Sequence, residues 1–146
     1  MYLDELYYHL MHNGATLFPA SQEEINRLDI IYGPLPRAYI EYLALMGAGT
    51  GGTLFRGASC CIDELFELNA WARELLADNN SALKLKNDDF VFWMSQGCMF
   101  CFFHLKAGDD PPVYYYTEMK PNRFRKIAGS LSGFMIACCR NPEKLL

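Results

Sequence analysis

The chain has 146 residues, 51% hydrophobic and 21% charged, with ten Phe, nine Tyr and two Trp, a composition that builds one globular core and argues against a disordered segment. Thirteen basic against seventeen acidic residues leave a net charge of -4, so the basic footprint of a phosphate-backbone binder is missing and direct nucleic-acid binding is not expected. The longest apolar run, Cys98 to Leu105, falls far short of the roughly 20 residues that cross a bilayer, which excludes a spanning helix.

Asp4 and Glu5 stand where a secretory leader would carry basic residues, so a cytoplasmic protein is expected. Leu3, Leu6, Tyr7 and Leu10 recur at helical spacing and predict a first helix over residues 3 to 12, stopping near Asn13 and Gly14. Ser21 and Glu24 have capping-box spacing ahead of Ile25, Leu28 and Ile31 or Tyr32, the apolar stripe of a second helix ended by Gly33 and Pro34. Pro36 fits the first turn of a third helix, whose oily face is Tyr39, Ile40, Leu43 and Met46.

A glycine-rich connection, Gly47 to Gly52, then leads to Thr53-Leu54-Phe55, which reads as a short edge strand. A fourth helix is predicted from Ile62 to Asp78, with Leu65, Leu68, Ala72, Leu75 and Leu76 inward. Beyond it lie three antiparallel strands: Phe90 to Met94, a turn at Gln96 and Gly97, Cys98 to Leu105, a loop from Lys106 to Pro112, and Val113 to Thr117. The middle strand is apolar at every other position on both faces and should be covered on both sides. Ser130 caps a last helix with Leu131, Phe134, Met135 and Cys138 inward and Pro142 just past its end. One α+β domain spanning residues 1 to 146 is therefore expected, an antiparallel sheet packed with helices.

Six cysteines occur as Cys60–Cys61, Cys98 with Cys101, and Cys138–Cys139. With no export signal they read as reduced thiols acting as small buried hydrophobes. Cys98 and Cys101 have the spacing of a zinc or redox pair, with His104 nearby, but three residues along a period-two strand point the thiols to opposite faces. The run Gly47 to Gly52 has the letters of a dinucleotide fingerprint, yet it follows a helix and not a strand. His9 and His12 lack an HExxH setting and read as exposed or locally paired.

The remaining candidates are acidic. They are Asp88, Asp89, Asp109, Asp110 and Glu118, some of which a three-strand meander can gather along one rim, imitating phosphate charge toward a basic partner. Tyr114 and Tyr116 would anchor that contact, and strand parity puts Tyr114, Tyr116 and Glu118 on one face. Solvated carboxylates and core tyrosines are the plain alternative. Trp71 and Trp93 read as core or half-buried.

Over roughly residues 20 to 140 the chain resembles the SUKH superfamily, also known through the yeast cell-wall-synthesis regulators. The residues that carry this are Gly33-Pro34-Leu35-Pro36 followed by Ala38-Tyr39-Ile40-Glu41-Tyr42-Leu43, then Ile62 to Phe66, the strand pair from Phe90 to Leu105, Val113 to Tyr116, and Ile127 to Phe134. Residues 1 to 19 add an N-terminal helix and connector. Gly97, Cys98 and Gly133 depart from the family's pattern, which carries acidic residues there. The resemblance implies an α+β fold, no catalytic residue, no cofactor or metal, and a protein partner: in bacterial members a cognate toxin that the protein neutralises as an immunity factor, in fungal members a regulatory hub. A toxin-binding immunity protein, with a nuclease as a candidate toxin, is thus the leading expectation. A scaffold for an endogenous partner is the second, and a thiol or metal enzyme at Cys98, Cys101 and His104 the third.

Overall fold

Seven of the ten Phe fall after residue 88, together with the run Tyr114-Tyr115-Tyr116, and extended backbone is where ring-bearing side chains are least crowded. In the computed structural model, which describes residues 1–141, this segment forms β1 (Asp89–Ser95), β2 (Met99–His104), β3 (Val113–Thr117) and β4 (Arg125–Ala128). The strands pair in chain order as one antiparallel meander. Between β1 and β2, the Cys98 N–H donates to the Ser95 carbonyl at 3.2 Å, with Gln96 and Gly97 both at positive φ. That is the turn handedness that matches strand twist.

Among the described residues five helices surround the sheet: α1 (Asp4–His12), α2 (Gln22–Tyr32), α3 (Arg37–Met46), α4 (Leu65–Asp78), entered through a tight turn at Ile62–Glu64, and α5 (Leu131–Arg140). The capping box closes as the spacing predicts, Ser21 Oγ accepting from Glu24 N–H at 3.1 Å and the Glu24 carboxylate from Ser21 N–H at 3.0 Å. Ser130 caps α5 by accepting from Gly133 N–H at 3.1 Å. Pro142 lies outside the described residues.

Two expectations change. The fourth strand was not expected: Arg125-Lys-Ile-Ala128 has no clean alternation and two charges, which an edge strand bonded on one side tolerates. Conversely, Thr53-Leu54-Phe55 is a turn and not an edge strand. Thr50 Oγ1 both donates to the Leu54 carbonyl and accepts its N–H, at 3.0 and 3.1 Å, satisfying locally what a strand would offer a neighbour. Phe55 then enters the core at positive φ and stacks on Phe134.

The middle strand is covered on both faces, as its composition demands; Phe100, Cys101, Phe102 and Phe103 are buried. On one face Phe90, Phe92 and Phe103 surround Tyr39 of α3, with ring centroids 5.4, 6.2 and 5.2 Å away, and Phe92 meets Phe134 of α5. On the other, Phe100 stacks on Tyr116 and Phe102 on Tyr114, while Phe124 packs edge-on against both phenylalanines. Helix α4 lies over this second face, where the Asn79 side chain donates to the Tyr116 hydroxyl at 2.9 Å.

The two edges of the sheet differ. Asn69 of α4, itself buried, accepts from Val91 N–H at 2.9 Å and donates to the Val91 carbonyl at 3.0 Å. One carboxamide thus stands in for a neighbouring strand along β1. Ser59 pairs with Met94 further along the same edge. Strand β4, at the opposite edge, has no further backbone partner among the described residues.

Candidate partner-binding surface

The loop between β2 and β3 is held at successive points. The Leu105 N–H donates to the Asp88 carbonyl at 2.7 Å, Ala38 N–H at the start of α3 donates to the Asp109 carbonyl at 2.8 Å, and Asp110 receives both the N–H and the hydroxyl of Ser132, at 2.8 and 2.5 Å. An anion at a helix N-terminus is where the free N–H groups and the dipole favour it, so Asp110 locks the loop to α5. What remains free to face outward is the Asp109 carboxylate, which accepts from the Tyr2 hydroxyl at 3.4 Å. Partial desolvation, then the charge and hydrogen bond of Asp109 and the charge of Asp110, raise the Tyr2 phenol above its ordinary range.

Four of the acidic residues singled out in the sequence, Asp88, Asp89, Asp109 and Asp110, stand at this one end of the sheet, where β1 begins and β2 ends. They are not equivalent. Asp89 is buried; its carboxylate accepts from Lys86 N–H at 2.8 Å and pairs with Nδ1 of His104. Asp89 therefore presents no surface to a partner and orients a half-exposed imidazole instead. Asp88 is half-buried and Asp109 exposed. Lys86, Lys106 and Arg37 are exposed at the same end, so it carries both signs of charge and is not a purely acidic rim.

Glu118 is exposed at the other end of β3, where its N–H donates to the Cys98 carbonyl, and so does not join the four. Parity does place Tyr114 and Tyr116 on one face, but Tyr116 is fully buried under α4, bonded to Asn79. Tyr114 is half-buried beside His104, ring centroids 4.8 Å apart, and so keeps part of its ring at the loop end. Sequence reasoning missed Tyr2, Ile31 and Phe66, whose rings or branches are exposed. Tyr32 links α2 to this end, packing on both Phe66 and Phe90. The one available sequence signal was the choice between Ile31 and Tyr32 for the inward stripe of α2; Tyr32 takes the inner position and Ile31 faces out.

The thiols do not converge. Cys101 is buried beside Cys138, with its thiol held well above the ordinary range by burial, while Cys98 is half-buried at the hairpin and bonds weakly to the Ser95 carbonyl. His104 is turned to the opposite face, among Phe102 and Tyr114. Among the described residues the one trio of His, Cys, Asp or Glu donors within 4.8 Å of each other is Cys61, Asp63 and Glu64, which shares no residue with that set. All six cysteines are free thiols. His12 stacks on Tyr8, and His9 lies 3.1 Å from Arg140, which also pairs with Glu5. Trp93 is buried and Trp71 exposed on α4.

A helix-covered antiparallel meander displaying its polar groups from a braced loop, and not from a deep cleft, is an α+β module suited to engaging another protein. A profile of the SMI1 / KNR4 family (SUKH-1) matches residues 19–137, and the chain belongs to that family. Membership supports a protein-binding, immunity-type role in general, and members are typically non-catalytic. Helix α1 precedes the matched span. No curated protein matches the chain. No described helix is long and apolar enough to cross a membrane.

Proposed function

We propose that the chain is a cytoplasmic immunity protein that neutralises a cognate toxin by covering its active surface, using the loop end of the sheet. The carrying observation is the bracing of the β2–β3 loop onto α3 and α5 through Asp109 and Asp110. A loop already ordered before contact loses little freedom on binding, so more of its interaction energy appears as affinity. The exposed Asp109 carboxylate, with the half-buried Asp88 beside it, would steer a basic surface, such as that of a nuclease, toward the site. Tyr2, Tyr114 and Phe66 supply rings that can be desolvated as anchors. No cofactor enters this mechanism.

The test is co-expression with the toxin domain encoded beside the chain's gene. Growth should be rescued, and the purified pair should associate more slowly, with a weaker salt dependence and little change in dissociation, when Asp88 and Asp109 are both replaced by Asn. Asp110→Asn is unsuitable for this purpose because it also loosens the cap of α5. Failure of rescue, together with a growth phenotype of the deletion in a toxin-free strain, would overturn immunity in favour of an endogenous regulatory partner.

A further inference from the structure

The opposite edge of the sheet offers a second surface, beside a basic segment. From Lys120 to Lys126 the chain carries Lys120, Arg123, Arg125 and Lys126 and no acid. Strand β4 ends this segment, and its outward main-chain groups meet no other described backbone. Beside it, between β4 and α5, runs a groove of about 260 Å³ lined by Tyr115, Arg125, Ile127, Phe134, Ala137 and Cys138. The Arg125 guanidinium lies over the Tyr115 ring, 5.3 Å from its centroid, and pairs with no carboxylate among the described residues.

Charges on an edge strand commonly deter unwanted pairing, and that accounts for Lys126 taken alone. It gives no reason for an apolar trough alongside the strand or for a guanidinium set over a tyrosine ring at its wall. Cations also discriminate: they repel a basic strand and attract an acidic one. A second copy would bring the same four basic residues against these four, which disfavours self-pairing at this edge. We propose that β4 is a docking edge for an extended, acidic segment of a partner protein. That segment adds as a fifth strand, hydrogen-bonded to β4, with alternate apolar side chains in the groove that Arg125 borders and carboxylates on the opposite face, which Lys126 shares. This proposal stands apart from toxin neutralisation, since it uses the other edge of the sheet.

The probe is an acetylated, amidated peptide of five Glu-Val repeats, titrated into the isotopically labelled chain at low salt, with the Lys-Val counterpart as control. The Glu-Val peptide should shift the amide resonances of Arg125 to Ala128 and slow their hydrogen exchange, whereas the Lys-Val peptide should do neither. The R125Q/K126Q double variant should bind about tenfold more weakly. Ala137→Trp, which fills the mouth of the groove from an exposed helix position, should weaken binding comparably without touching a charge. Equal binding of both peptides, shifts without protection of β4, unaltered affinity in Ala137→Trp, or sedimentation showing a dimer that buries this edge would overturn it.

Discussion

Replacing Asn69 by alanine isolates the role of one side chain in closing the sheet. Asn69 satisfies both the N–H and the carbonyl of Val91, a residue with no exposed surface, and donates again to the Leu65 carbonyl within its own helix. Alanine leaves the two Val91 groups buried and unpaired, at about 1–3 kcal/mol each. Better helix propensity returns about 0.7 kcal/mol. The Leu65 carbonyl adds little, because a helical carbonyl has its own backbone donor. The expected net loss is about 3 kcal/mol, which at a urea slope of about 2 kcal/mol/M lowers the unfolding midpoint by about 1.5 M. Asn69→Leu keeps the volume while removing the polar groups, so it should lose nearly as much and thereby exclude a cavity as the cause. A fall under about 0.5 kcal/mol in both variants would mean that water replaces the carboxamide, and the edge-closing argument would fail.

Other expectations follow from the buried polar groups. His104→Ala strips the buried Asp89 carboxylate of its partner and should lower Tm by roughly 6–12 °C; adding Asp89→Asn should recover part of that loss, and an unchanged Tm in the single variant would contradict it. The Tyr39 hydroxyl is buried without a hydrogen-bond partner among the described residues, so Tyr39→Phe should leave stability unchanged or raise it by up to about 1 kcal/mol, whereas a larger loss would contradict this. Burial pushes the Cys60 and Cys138 thiols from 9.0 up to about 12. The folded state thus holds these protons more tightly than the unfolded chain: their contribution is intact below the ordinary thiol value and is lost as pH rises toward the folded one. Urea unfolding above about pH 9 should show stability falling by up to about 1.4 kcal/mol per pH unit for each thiol, and Cys138→Ala should flatten that slope.

The elements most legible in the sequence were those with local chemistry. The Ser21–Glu24 box and the Ser130 cap need only their own helix ends, and the apolar run of β2 announces its two covered faces without reference to other segments. Parity likewise sorted Tyr114 and Tyr116 onto one face, because side-chain alternation is a property of the strand itself. Parity does not say which end of a strand faces solvent or what covers it. Glu118 therefore separated from the other acids, and Tyr116 went beneath α4. Asp89 and Asp110 are partnered by His104 and Ser132, 15 and 22 residues away, and only the folded register brings those groups together. Strand β4 escaped notice because its pairing with β3 is set by a neighbour already in place and not by a hydrophobic pattern of its own.

The unequal edges of the sheet also bear on how copies of the chain behave when crowded. Growth of a fibre by strand addition requires each subunit to offer two free borders, one to receive and one to extend. Here the carboxamide of Asn69 and the Ser59 bridge occupy one border, so any such assembly stops after a single joining event. The fold can accept a guest strand while remaining incapable of propagating one.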